Sequence, residues 1–138
     1  MTLAFEVQCP ISTDLALLRD VIRVHGRHSG LSGDRLEDLV VAVNEAVTNV
    51  LDHGGKAGTV TARGTGDGVI VEILDVAGGL THDHLAAAHV DPAGTRGFGL
   101  WVIQHLCNEV VLEQTGLGSL LTLDLRRHRR AAVRAQAG

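Results

Sequence analysis

The chain has 138 residues, 45% of them hydrophobic, which is enough for one domain around one core. Only Phe5, Phe98 and Trp101 are aromatic, so the core must be aliphatic and a base-stacking nucleic-acid platform is disfavoured. The formal charge is −4, but five arginines sit in residues 126–138, and the other seven bases face all sixteen acids in residues 1–125. That balance of −9 gives the body no electrostatic attraction to DNA or to an anionic membrane.

Residues 3–8 (LAFEVQ) alternate loosely in polarity and are expected to form a strand, ended by Pro10. Ser12, Thr13 and Asp14 offer helix caps, and LALLRDVIRVHGRH follows with apolar residues at 15, 17, 18, 21, 22 and 24. After a break at Gly30–Gly33, a second helix is expected over about 34–53, with apolar residues 36, 39, 40, 43, 47, 50 and 51 on a single stripe and Gly54-Gly55 as its stop. Residues 58–64 and 69–74 read as a hairpin joined by Thr65-Gly66-Asp67-Gly68. Residues 76–96 read as loop, with one short helix near 82–89 as an option. A third helix is expected from Phe98 to about Cys107, then strands 109–115 and 119–125 turning at Gly116-Leu117-Gly118. Helices in blocks and strands in hairpins predict an α+β fold, a two-layer sandwich with helices on one face of a mostly antiparallel mixed sheet. The expected division is a domain over 1–125 and a basic, flexible tail over 126–138.

Cys9 and Cys107 fit neither a disulfide framework nor a metal spacing and read as small buried hydrophobes. No stretch approaches the roughly 20 apolar residues of a membrane span. No basic region followed by an apolar run opens the chain, so a cytoplasmic location is the default expectation.

Three places could carry chemistry. Glu45 and Asn49 lie one turn apart on the second helix, about 40° around its axis, and face away from Val43, Val47 and Val50; Asp52 lies near the same edge. Hard oxygens at such spacing suit Mg²⁺, although an isolated E-x-x-x-N is more often a solvated helix face. Asp75 leaves a strand just before Val76-Ala77-Gly78-Gly79. A carboxylate there can accept from an exocyclic amine such as adenine's, and the glycines allow close approach, although Asp and Gly also make ordinary turns. Gly97-Phe98-Gly99 opens an apolar helix, where backbone N–H groups can meet a phosphate. The other G-x-G pairs sit in hairpin turns. Arg96 would add charge for a terminal phosphate or be a solvated loop residue. His82, His84 and His89 read as solvated loop histidines, since no cysteine or acid cluster completes a metal site.

In this order the three elements resemble the N, G1 and G2 boxes of the GHKL ATPase superfamily, with its Bergerat ATP-binding fold. Among its members, AVNEAVTNVLDHG is most similar to the small bacterial anti-sigma-factor serine/threonine kinases, with His53 matching the histidine after their asparagine. The resemblance spans about residues 10–125. It implies that ATP and Mg²⁺ are the cofactors, that Asn49 binds Mg²⁺, and that Glu45 is the catalytic base. Asp75 would hold the adenine amine in a pocket shaped by Gly79. Gly97, Gly99 and the N–H groups after them, Leu100 included, would hold phosphates, and Ser119 would supply the hydroxyl that a Gly-Thr pair usually brings to adenine. One departure is Ala77, which stands where the D-x-G-x-G pattern has its first glycine.

The resemblance further implies a partner-switching protein that phosphorylates an anti-anti-sigma factor and sequesters a sigma factor, with no direct contact to nucleic acid or membrane. The family often forms homodimers, although no stripe in this sequence specifies one. Two alternatives stay open: a non-catalytic, nucleotide-dependent switch that binds the same partners, and a detached histidine-kinase catalytic domain. The last would need a phosphoacceptor histidine, and His25 and His28 sit poorly for that at a helix end.

Overall fold

The computed structural model describes residues 5–55, 57–76 and 98–128. Its elements in chain order are β1 (Glu6–Pro10), α1 (Leu15–His28), α2 (Gly33–His53), β2 (Gly58–Gly64), β3 (Gly68–Val76), α3 (Phe98–Leu106), β4 (Glu109–Gln114) and β5 (Gly118–Arg126). The strands form one sheet in the order β1-β2-β3-β5-β4, and all four pairings are antiparallel. The α+β class expected from the sequence is therefore the observed one. The short helix suggested near 82–89 and residues 129–138 of the tail lie outside the described residues.

Side-chain alternation decides which face of the sheet is covered. Val60 and Ala62, Val69, Val71 and Ile73, Leu112, and Leu121, Leu123 and Leu125 are buried at every second position. They form one cluster with Leu36, Leu39, Val43 and Val47 of α2, Leu18 and Ile22 of α1, and Leu100 and Ile103 of α3. Each such aliphatic side chain contributes about 1.5–3 kcal/mol on full burial. The three helices form one layer, with α2 between α1 and α3.

Not every apolar residue of α1 is buried. Leu17 and Val24 are 57% and 50% exposed, while Leu18, Ile22, His25 and Gly26 are buried. Gly26 lets α1 and α2 pack closely: a Cβ there would come within 2.8 Å of Leu36 Cδ1 and Leu39 Cδ2, so those side chains would have to shift. His25 donates from Nε2 to the Phe5 carbonyl at 2.7 Å and stacks on the Phe5 ring, 4.9 Å between centroids. β1 begins at Glu6 and reaches Pro10, two residues beyond the expected strand. Pro10 is tolerated because β1 is an edge strand, where a missing N–H breaks no inner ladder.

Arg35 ties the far ends of four elements together. Its Nη1 donates to Asp38 Oδ2 at 2.8 Å and to the Leu106 carbonyl at 3.0 Å. Its Nε reaches the Arg126 carbonyl at 2.9 Å, and its Nη2 reaches Asn108 Oδ1 at 2.8 Å. The start of α2, the end of α3, the approach to β4 and the end of β5 are thereby fixed to one buried guanidinium. Arg126 is the last residue of β5, and the Arg127 N–H donates to the Asp67 carbonyl at 2.7 Å, so both are held by the folded body. No helix among the described residues is long and apolar enough to cross a membrane.

Candidate functional site

The site is built where the end of α2 meets the end of β3 and the start of β5. On α2, Ala46, Val47 and Val50 go into the core, which leaves Glu45 and Asn49 half-buried on the adjoining face. Asn49 Nδ2 is shielded from solvent and has no hydrogen-bond partner. A buried polar atom left unpaired costs about 1–3 kcal/mol, so this NH₂ group is suited to a ligand that brings a hydrogen-bond acceptor, such as a phosphate oxygen. Asp52 and His53 are exposed in the last turn of the helix.

Asp75 continues the inward-facing series of Val71 and Ile73 and is 4% exposed. A carboxylate thus stands where the pleat would otherwise place another aliphatic residue. The Gly55 N–H donates to its Oδ1 at 2.8 Å, across the junction of α2 and β3. Its cross-strand partner on β5 is Ser119, which is 1% exposed and faces the same side. Ser119 Oγ donates to Gln114 Oε1 of β4 at 3.2 Å. The β4–β5 turn delivers Ser119 there. Thr115 and Gly118 exchange backbone hydrogen bonds, and Gly118, at φ 148°, occupies a region L side chains rarely adopt.

Of the residues singled out in the sequence, the structure brings Asp75 and Ser119 together and places the helix bearing Glu45 and Asn49 against Asp75 through Gly55. Gly99 lies in the first turn of α3, where N–H groups lack intrahelical partners. The Leu100 side chain is buried in the core, so only its backbone N–H could face a phosphate. Gly79, Arg96 and Gly97 lie outside the described residues, as do Ala77, His82, His84 and His89. Among the described residues no three His, Cys, Asp or Glu side chains cluster as a metal site. A magnesium ion here would take its ligands from one or two side chains, phosphate and water, which a single asparagine oxygen suits.

Gly54 and Gly55 read in the sequence only as a helix stop. The structure shows that they also form the wall against which the Asp75 carboxylate rests. Only the double glycine directly after the helix hinted at this.

Comparison with known proteins identifies the family and the fold. The sequence matches the family described as the histidine kinase-like ATPase domain over residues 12–125. No curated protein matches it significantly. Among solved structures, the fold is similar to that of the RsbU and RsbW domains of Rv1364c from Mycobacterium tuberculosis, with a TM-score of 0.60 at 21% identity. That superposition covers 94% of this chain and 34% of the other. With the family matched across nearly the whole folded body, this chain belongs to the histidine kinase-like ATPase domain family of GHKL type, whose description implies ATP as the ligand.

Proposed function

We propose that the protein is an anti-sigma regulatory kinase that uses Mg·ATP to phosphorylate a serine or threonine of an anti-anti-sigma partner in the cytoplasm. The observation that carries this reading is the junction of α2 with β3. It places a buried carboxylate, Asp75, against the end of the helix that bears Glu45 and Asn49, whose Nδ2 is without a partner. Base recognition and phosphate chemistry need such rigid coupling, because phosphoryl transfer depends mainly on positioning and charge stabilisation.

In this reading Asp75 accepts a hydrogen bond from the adenine amine, with Ser119 beside it on β5. Asn49 provides the side-chain ligand for Mg²⁺, which neutralises charge on the phosphates when bound. Backbone N–H groups at the start of α3, with Gly97 and Arg96, hold the phosphate oxygens. Glu45 takes the proton of the attacking hydroxyl as its oxygen bonds to the γ-phosphorus; the bond to the bridging oxygen breaks, and ADP leaves. The sequence resemblance to anti-sigma-factor kinases, with a fold similar to that of the RsbU and RsbW domains of Rv1364c, supports a role among partner-switching regulators, with a sigma factor as a second partner.

Incubation with γ-labelled ATP and a candidate anti-anti-sigma factor tests the proposal. Label is expected on a partner hydroxyl amino acid and is lost in Glu45→Ala, which still binds nucleotide. Nucleotide-dependent partner binding without label transfer at high enzyme concentration would favour the non-catalytic switch. Acid-labile label on histidine would instead favour a histidine-kinase domain.

A further inference from the structure

Gly54 stands at the C-cap of α2 with φ −101° and ψ −154°, an extended conformation open to any L residue. Its backbone therefore gives no reason for glycine. The reason is space. A Cβ on Gly54 would overlap Asp75 Oδ2 and lie 2.8 Å from Asp75 Cγ and 2.9 Å from Oδ1. All three nearest atoms belong to one carboxylate. Gly55 differs, because a Cβ there would overlap the Val76 backbone carbonyl.

The two oxygens of Asp75 thus stand in different surroundings. Oδ1 is held by the Gly55 N–H at 2.8 Å, while Oδ2 lies over the bare Cα of Gly54 with no hydrogen bond from a described residue. The Gly54 N–H closes α2 on the Val50 carbonyl at 3.0 Å, which fixes the wall relative to the helix carrying Asn49.

We propose that Gly54 is a positioning residue for base specificity: its missing side chain lets the Asp75 carboxylate adopt the one orientation in which Oδ1 is anchored by Gly55 and Oδ2 is presented to an exocyclic amine. The inference rests on the nucleotide reading of the site and extends it to a residue that need not touch the nucleotide. An alanine at 54 turns the carboxylate, whose side-chain torsions can yield, and leaves the backbone in place. The site then loses its preference for a 6-amino purine over a 6-oxo purine, because an acceptor-only carboxylate selects the amine only when aimed at it.

The test compares ATP with inosine triphosphate by calorimetry. Wild type is expected to prefer ATP by at least about tenfold, and Gly54→Ala to narrow that preference to within about threefold. A double-mutant cycle with Asp75→Ala reads the same coupling in thermal stability. With the carboxylate gone, Gly54→Ala should have little further effect, and a misfolded Gly54→Ala protein should be rescued. An unchanged ATP preference in a folded Gly54→Ala variant, or equal losses from Gly54→Ala in both backgrounds, would overturn the positioning role. Absence of any ATP preference in wild type would instead sink the adenine reading of Asp75, and the inference with it.

Discussion

Asn49 pairs helical geometry with an unsatisfied atom. Because Nδ2 is buried without a partner, Asn49→Ala removes a polar group that contributes little to the folded state. Thermal stability should stay within about 1 kcal/mol of wild type or rise slightly, while Mg-dependent ATP affinity falls at least about tenfold. Calorimetry with and without Mg²⁺ checks this; an unchanged affinity with Mg²⁺ would remove Asn49 from the metal site. Cys107 gives a second, independent prediction. Burial pushes its thiol from 9.0 up to about 12. The unfolded chain ionises the same thiol near 9.0, so the stability of the native state is full below that pH and falls as pH rises toward 12. At pH 10 the loss should be about 1 kcal/mol. With no tyrosine and one lysine in the chain, few other groups titrate there, apart from Cys9, whose thiol burial also raises. Urea midpoints measured from pH 8 to pH 10.5 should fall more steeply in wild type than in Cys107→Ala.

Among the elements, α3 is held at one end by Arg35 and carries at the other the N–H groups proposed to hold phosphate. Arg35→Ala removes the pairing with Asp38 and the donors to the Leu106 and Arg126 carbonyls at once. The expected cost is about 3–5 kcal/mol, read from urea unfolding followed by the fluorescence of the sole tryptophan, Trp101. Arg35→Lys keeps the charge but cannot fork to four acceptors, so it should recover only part of the loss. The sequence placed each described element to within about three residues, because helical stripes, Asp-Gly turns and glycine stops are local signals. Hydropathy alone did not say which apolar residues of α1 go inward: Leu17 and Val24 are exposed, while Gly26 packs against Leu36 and Leu39 and the Phe5 carbonyl satisfies the His25 ring.

β5 joins the Asp75 end of the sheet to the Arg35 end. Ser119, the second residue of the strand, lies beside Asp75, and Arg126 closes the strand beside Arg35; the seven steps between them span about 23 Å. That distance exceeds the roughly 8 Å over which charges act at physiological salt. Arg126→Ala should therefore leave ATP affinity within about twofold of wild type, as measured by calorimetry at 0.15 M salt. A larger change would show that this end of β5 acts on the nucleotide site. The sequence by itself determined the α+β class and the E-x-x-x-N spacing on α2, since each is written in residues a few positions apart. Only the tertiary structure decided that Asp75 and Ser119 are cross-strand partners and that Gly54 and Gly55 form the wall of the carboxylate. Those contacts depend on sheet register and on the docking of a helix end against a strand end, which are fixed by burial across the whole core.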